Sequence, residues 1–139
     1  MAPNHPVVSY GDEMKARRQR MAGDPFTSLE RVLLELLCGG DDPHRVPVRE
    51  QLRSARWGGY EFEDCDCFRL SVAELPPSTR IHHEGGPFSV LEVRRRGECL
   101  GLVELWVIDG YLHSVNYMSL ADDHDTLPGP AEFDLQLVD

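Results

Sequence analysis

The chain has 139 residues, 24 acidic against 14 basic side chains, a formal net charge of −10 with its histidines neutral, and a pI near 4.9. That length supports one domain and excludes an enzyme built from separate cofactor and substrate halves. Its apolar content of 41% suffices for a core and excludes a membrane protein. An acidic chain is also poorly suited to nucleic acid, where affinity comes mostly from Lys and Arg neutralising phosphates.

The charge is uneven along the chain. Residues 1–96 hold 15 acids and all 14 bases, whereas residues 97–139 hold nine acids and no Lys or Arg. Lys15 is the single lysine beside 13 arginines, a bias that points to a GC-rich source genome. No targeting segment is visible: residues 1–24 lack a signal-peptide apolar stretch, and the longest apolar cluster, residues 32–38, is interrupted by Glu35. The expected location is the cytoplasm, where four cysteines are expected as reduced, unligated thiols.

Residues 1–24 read as a flexible basic tail, with little apolar surface around the run Lys15-Ala16-Arg17-Arg18-Gln19-Arg20, and a single domain is expected over residues 25–139. Thr27 with Glu30 makes a capping box, and Leu29, Val32, Leu33, Leu36 and Leu37 recur at helical spacing up to a stop at Gly39-Gly40. A second helix is predicted from Pro47 to Arg56, with Val48, Leu52 and Ala55 on one side and Arg49, Glu50 and Arg53 on the other.

Past Trp57-Gly58-Gly59 the period changes to two. Residues 61–74 read as a strand that alternates around Phe68, Leu70 and Val72, and Pro76-Pro77 ends it. Residues 88–95 and 99–108 are two further strands about a turn at Arg96-Gly97-Glu98. Asp109-Gly110 then predicts a two-residue hairpin loop, since a type I′ turn needs positive φ at both central positions. The returning strand, residues 111–119, alternates Tyr111, His113, Val115 and Tyr117 against Leu112, Ser114, Asn116 and Met118. An acidic loop follows over residues 121–130, and residues 131–138 supply an edge strand. This order predicts an α+β domain, two N-terminal helices packed on an antiparallel β-meander of four to five strands.

Three sets of residues bear on chemistry. Cys65, Cys67, His82, His83 and Cys99 include the ligand types zinc takes, but Cys-x-Cys with adjacent histidines matches no structural-zinc spacing, so no metal or other cofactor is expected. Cys99 or Cys38 with His113, and Asp122, Asp123 and Asp125 with His124, contain the groups for nucleophilic or acid–base work, yet nothing in their spacing gathers them, and no catalytic residue is assigned. Trp106, Asp109, Tyr111 and Tyr117, with Asp122, Asp123 and Asp125, join large amphipathic rings to unscreened carboxylates. That combination fits a docking surface for a basic partner, in which charge speeds association and aromatics anchor.

The stretch Leu102-Val103-Glu104-Leu105-Trp106-Val107-Ile108-Asp109-Gly110-Tyr111-Leu112, followed by Val115-Asn116-Tyr117, Asp122-Asp123 and Leu127-Pro128, resembles the ending of a family of small uncharacterised actinobacterial proteins. The likeness extends to residues 48–56 and about half the chain. It implies a tryptophan-bearing hairpin followed by an acidic loop, an acidic residue where this chain has Asn116, and no catalytic residue.

The expected function is a cytoplasmic binding protein, an immunity protein that neutralises a basic toxin such as a nuclease through its acidic C-terminal surface. Two alternatives stand beside it. One is a small metal-binding sensor or enzyme using Cys65, Cys67, His82 and Cys99; the other is a structural protein that dimerises through the edge strand near residues 131–138.

Overall fold

Helix α1 (Ser28–Cys38) begins where the capping box places it. The Thr27 hydroxyl accepts from the Glu30 N–H at 3.1 Å, and the Glu30 carboxylate accepts from the Thr27 N–H at 2.8 Å. At its other end Gly39 leaves the helix and Gly40 turns at φ +106°, while the Arg45 and Arg49 guanidiniums donate to the Leu37 and Gly40 carbonyls at 2.7 and 2.9 Å. Those two arginines satisfy acceptors that the helix itself cannot. They arrive on a 3-10 turn (Pro43–Arg45) and on helix α2 (Val46–Ser54), whose first turn contains Pro47.

The computed structural model describes residues 19–120 and 126–138. After the helices come β1 (Arg56–Tyr60), β2 (Phe68–Ser71), a second 3-10 turn (Pro77–Thr79), β3 (Ser89–Arg95), β4 (Glu98–Ile108), β5 (Tyr111–Ser119) and β6 (Asp134–Leu137). They form one sheet in the order β1-β2-β5-β4-β3-β6, antiparallel at every step. The domain is α+β, with its helices N-terminal to the strands, and six strands replace the four to five expected.

The strands β3, β4 and β5 form a meander joined by two tight turns. Asp109 and Gly110 have φ of +53° and +86°, the positive pair that the sequence required, and Arg96 and Gly97 repeat it with +54° and +81°. Residues 61–74 are not one strand. Only Phe68–Ser71 pair, because residues 61–67 form the loop that joins β2 back to β1. Strand β1 itself escapes a periodicity reading because it is built on Gly58 and Gly59. A Cβ on Gly58 would stand 3.0 Å from the backbone of Arg69 and Leu70, and Gly59 at φ +113° absorbs a bulge opposite β2.

Both helices cover one face of the sheet. Leu33, Leu34 and Leu37 of α1 and Val48 of α2 meet Phe68, Leu91, Val93, Val103, Leu105 and Val115, all fully buried. Each such side chain contributes roughly 1.5–3 kcal/mol by leaving water. One polar residue shares this interior: Gln51, on the same helical stripe as Val48, Leu52 and Ala55, is wholly inaccessible. Its Nε2 donates to the carbonyls of Thr79 and Gly110, each at 2.8 Å, and its Oε1 accepts from the Leu112 N–H at 2.9 Å. One side chain thus ties α2, the second 3-10 turn and the β4–β5 hairpin together.

The sequence reading placed residues 19–24 in the basic tail, but these residues join the domain. The Gly23 N–H donates to the Trp57 carbonyl and the Trp57 N–H to the Asp24 carbonyl. Arg20 forms a two-toothed ion pair with Glu30, 2.8 Å from each nitrogen, and its guanidinium lies 3.8 Å over the Trp57 ring. The Glu30 contacts push the Arg20 pKa further up. The Glu30 side chain is almost completely buried, so Arg20 supplies the charge that its interior position demands.

Candidate functional site

Register decides which candidate residues share a surface. Down β4, Val103 and Leu105 point to the helices, so Leu102, Glu104, Trp106 and Ile108 point to the other face. Opposite them in β5, Met118 faces Leu102, Asn116 faces Glu104, Ser114 faces Trp106 and Tyr111 faces Ile108. A bulge lies between the last two pairs, where Trp106 pairs with Ser114 but Val107 pairs with Leu112, leaving His113 as the extra residue. The alternation expected for residues 111–119 therefore breaks at His113. Leu112 joins Val115 and Tyr117 on the helix side, while Ser114, Asn116 and Met118 face outward.

The expected partner-binding set is split accordingly. Trp106, Asp109 and Tyr111 gather at the hairpin end of the outer face, with the Arg80 guanidinium 5.5 Å over the Tyr111 ring. Tyr117 belongs to the opposite face and the opposite end. Its ring fills the space above Gly101, where a Cβ would come within 2.7 Å of it, and it lines an open cavity of about 280 Å³ with Arg95, Leu127 and Phe133. Burial raises the Tyr117 pKa, an effect that the neighbouring Ser119 opposes. Asp122, Asp123 and Asp125 lie outside the described residues.

The outer face carries what the sequence reading missed. No helix covers it among the described residues; Val90, Leu102 and Trp106 are half-buried there, and Met118 and Ile108 are 52% and 48% exposed. At its centre stands Glu104, between Val90 of β3 and Asn116 of β5. Its carboxylate makes no hydrogen bond or ion pair among the described residues. Two charged pairs on the flanks are neutralised locally, Glu92 by Arg94 at 3.0 Å and Arg69 by Glu61 at 2.6 Å. The loop of residues 61–67, with Glu61, Glu63, Asp64 and Asp66, borders β5, where the Tyr117 N–H donates to the Cys67 sulfur at 3.3 Å. The available signal was the even-numbered series of β4 from Leu102 to Ile108, which offers three large apolar residues and one acid to the side opposite the core.

The cysteines take other roles. Cys38 is sealed under α1, and burial pushes its thiol up to about 12. Cys67 is pushed up to about 12 by burial, with the neighbouring Cys65 thiol adding to the shift. The thiolate is the nucleophile and the metal ligand, so burial disfavours the reactive form of both groups. Cys65, Cys67, His82 and Cys99 are not brought together, and no group of three or more His, Cys, Asp or Glu able to hold a metal occurs among the described residues. No helix of the described residues is long and apolar enough to cross a membrane. Comparisons with family models, curated proteins and solved structures returned no match.

Proposed function

We propose that this chain is a binding protein that inhibits a basic protein partner, in the manner of an immunity protein neutralising a cationic toxin such as a nuclease, in the cytoplasm. The observation that carries this reading is the outer face of the sheet, which no helix covers among the described residues. An antiparallel sheet can leave one face to water, but such a face is then ordinarily polar. Here it carries Trp106, Leu102, Val90, Met118 and Ile108 around Glu104, which has no counter-ion among the described residues, with an acidic loop at its side. Aromatic and aliphatic anchors beside charged groups are the elements from which specific protein interfaces are made. The role assigned to Trp106, Asp109 and Tyr111 carries over to this face. Tyr117 does not, because it serves the other side of the sheet.

The test is co-expression with the product of the adjacent reading frame. Immunity requires that this product be toxic alone, that the chain restore growth, and that the purified pair associate more slowly as salt rises, as steering by opposite charge demands. A harmless neighbour that forms no complex overturns the reading. A second reading, a homodimer through β6, draws on the place of that strand at the sheet edge. Light scattering distinguishes it, since a monomer at all concentrations removes it.

A further inference from the structure

We propose that Cys65 and Cys67 form a reversible modification site, a dithiol that a peroxide oxidises to a disulfide across Asp66. The proposal does not depend on the basic-partner reading. Residues 61–67 are a loop and not part of a strand, and the Glu61 N–H closes its base on the Cys67 carbonyl at 2.8 Å. Within this loop the Cys65 and Cys67 thiols are in hydrogen-bonding contact. Two of the residues first weighed as metal ligands therefore meet, with no third among the described residues to complete a metal site. Residues two positions apart span at most about 7 Å between Cα atoms, and a disulfide takes roughly 4.4–6.8 Å, so the bond needs side-chain rotation and little backbone movement.

The two sulfurs have separate tasks. Cys65 is half-buried and so open to a small oxidant, whereas Cys67 is 4% exposed and keeps its proton because it is buried. Cys65 is thus the thiol that meets the peroxide. Its thiolate attacks one peroxide oxygen, the O–O bond breaks, and the other oxygen leaves as an alcohol or water carrying the proton that Cys65 gave up. The sulfenic acid left on Cys65 is the electrophile for Cys67. The Cys67 sulfur displaces its hydroxyl, an S–S bond replaces the S–O bond, and the hydroxide leaves with the Cys67 proton as water. Two thiols have then lost two electrons and two protons, and the peroxide has gained both. A ring this short strains the disulfide, and a strained disulfide is readily reduced, so the thiol pool of a reducing compartment restores the dithiol. The structural effect falls on β5. Its pairing with β2 ends at Phe68 and Val115, and the Tyr117 N–H beyond them donates to the Cys67 sulfur at 3.3 Å. Drawing that sulfur toward Cys65 weakens this hydrogen bond, so Tyr117 reports the redox state of the loop.

The test exposes the full, reduced chain to tert-butyl hydroperoxide, alkylates the remaining thiols in denaturant and maps the peptides by mass spectrometry. Cys38, sealed under α1, and Cys99, whose thiol faces the Gly101 carbonyl at 3.6 Å, are the internal controls. The expected product has lost two hydrogens and gained no oxygen, carries alkylated Cys38 and Cys99, and regains all its thiols with dithiothreitol. Nuclear magnetic resonance should show the Tyr117 amide signal shifting with the same time course. Cys67→Ser, whose hydroxyl can still accept from the Tyr117 N–H, should leave a sulfenic acid on Cys65 that dimedone traps. Cys65→Ser should slow oxidation of the Cys67 thiol roughly tenfold or more. Oxidation of Cys99 before Cys65, a disulfide between two chains in place of the internal one, or Cys65 carried to its sulfonic acid beside an intact Cys67 overturns the proposal. Retention of all thiols at a peroxide excess that fully oxidises glutathione overturns it as well.

Discussion

Replacing Gln51 with leucine isolates the one polar tie in the core, and its cost can be worked from the contacts. Leucine keeps most of the volume but removes three hydrogen bonds to backbone groups. The Gly110 carbonyl keeps a second partner, the Ile81 N–H at 2.9 Å, so it is not stranded. Thr79 is half-exposed, so its carbonyl should recover some hydration. The Leu112 N–H has neither escape, because it lies at the bulge where the β4–β5 ladder skips His113 and its residue is buried. A stranded buried donor costs about 1–3 kcal/mol and each lost hydrogen bond about 1 kcal/mol, partly offset by no longer desolvating an amide. The net destabilisation should be about 2–4 kcal/mol, equivalent to a fall in Tm of roughly 6–20 °C for a domain of this size. Urea unfolding followed by tryptophan fluorescence gives the free energy at unchanged m-value, and hydrogen exchange shows whether the Leu112 amide opens ahead of its neighbours. A loss below about 1 kcal/mol, or a Leu112 amide protected as before, would refute the tie.

Two further outcomes follow from buried charge and buried thiols. Arg20→Ala leaves the Glu30 carboxylate, 4% exposed, without its guanidinium, and should cost about 3–5 kcal/mol in thermal unfolding; Arg20→Ala combined with Glu30→Gln should recover part of that loss, and a double variant no better than the single one would show that the pair does not act together. For pH, Cys38 and Cys67 hold their protons in the folded state up to about 12, whereas unfolded thiols ionise near 8.5. The native state then binds more protons than the unfolded state above about pH 8.5, so stability must fall as pH rises toward 12, by up to about 1.4 kcal/mol per pH unit for each thiol. Denaturant titrations across that range should show a shallower decline in Cys38→Ala, and an identical decline would remove Cys38 as a contributor.

Local signals were legible where a residue type can serve only one geometry. Thr27 and Glu30 close the same capping box in sequence and in space, and Asp109-Gly110 adopts the turn that demands positive φ. Features that depend on a remote neighbour were not. Arg20 reads as one more basic tail residue until Trp57 and Glu30 are placed beside it, since neither a ring nor a carboxylate nearby in space is nearby in sequence. Gln51 did leave a trace: it occupies a core position of the α2 stripe, where a polar residue requires buried partners. Strand β1 was hidden because Gly58 and Gly59, which read as a break, are there to permit close pairing and a bulge. The split among the aromatic candidates came from a single residue, as an extra His113 reverses the face of everything before it.

That reversal also links stability to the proposed binding surface. Without the bulge, Leu112 would share the outer face with Ser114, Asn116 and Met118, and the helix side would lose one of its buried leucines. With it, Leu112 turns inward and its N–H is released from the ladder, and Gln51 reaches from α2 to accept that N–H. The hairpin is therefore fixed from the core side, while Glu104, Trp106 and Asn116 stand on the outer side, where Glu104 makes no hydrogen bond or ion pair among the described residues. Substitutions on the two sides should act separately. Changes at Gln51 should lower stability, whereas conservative changes at Glu104 should leave it nearly unaltered, because no hydrogen bond or ion pair within the described residues is broken.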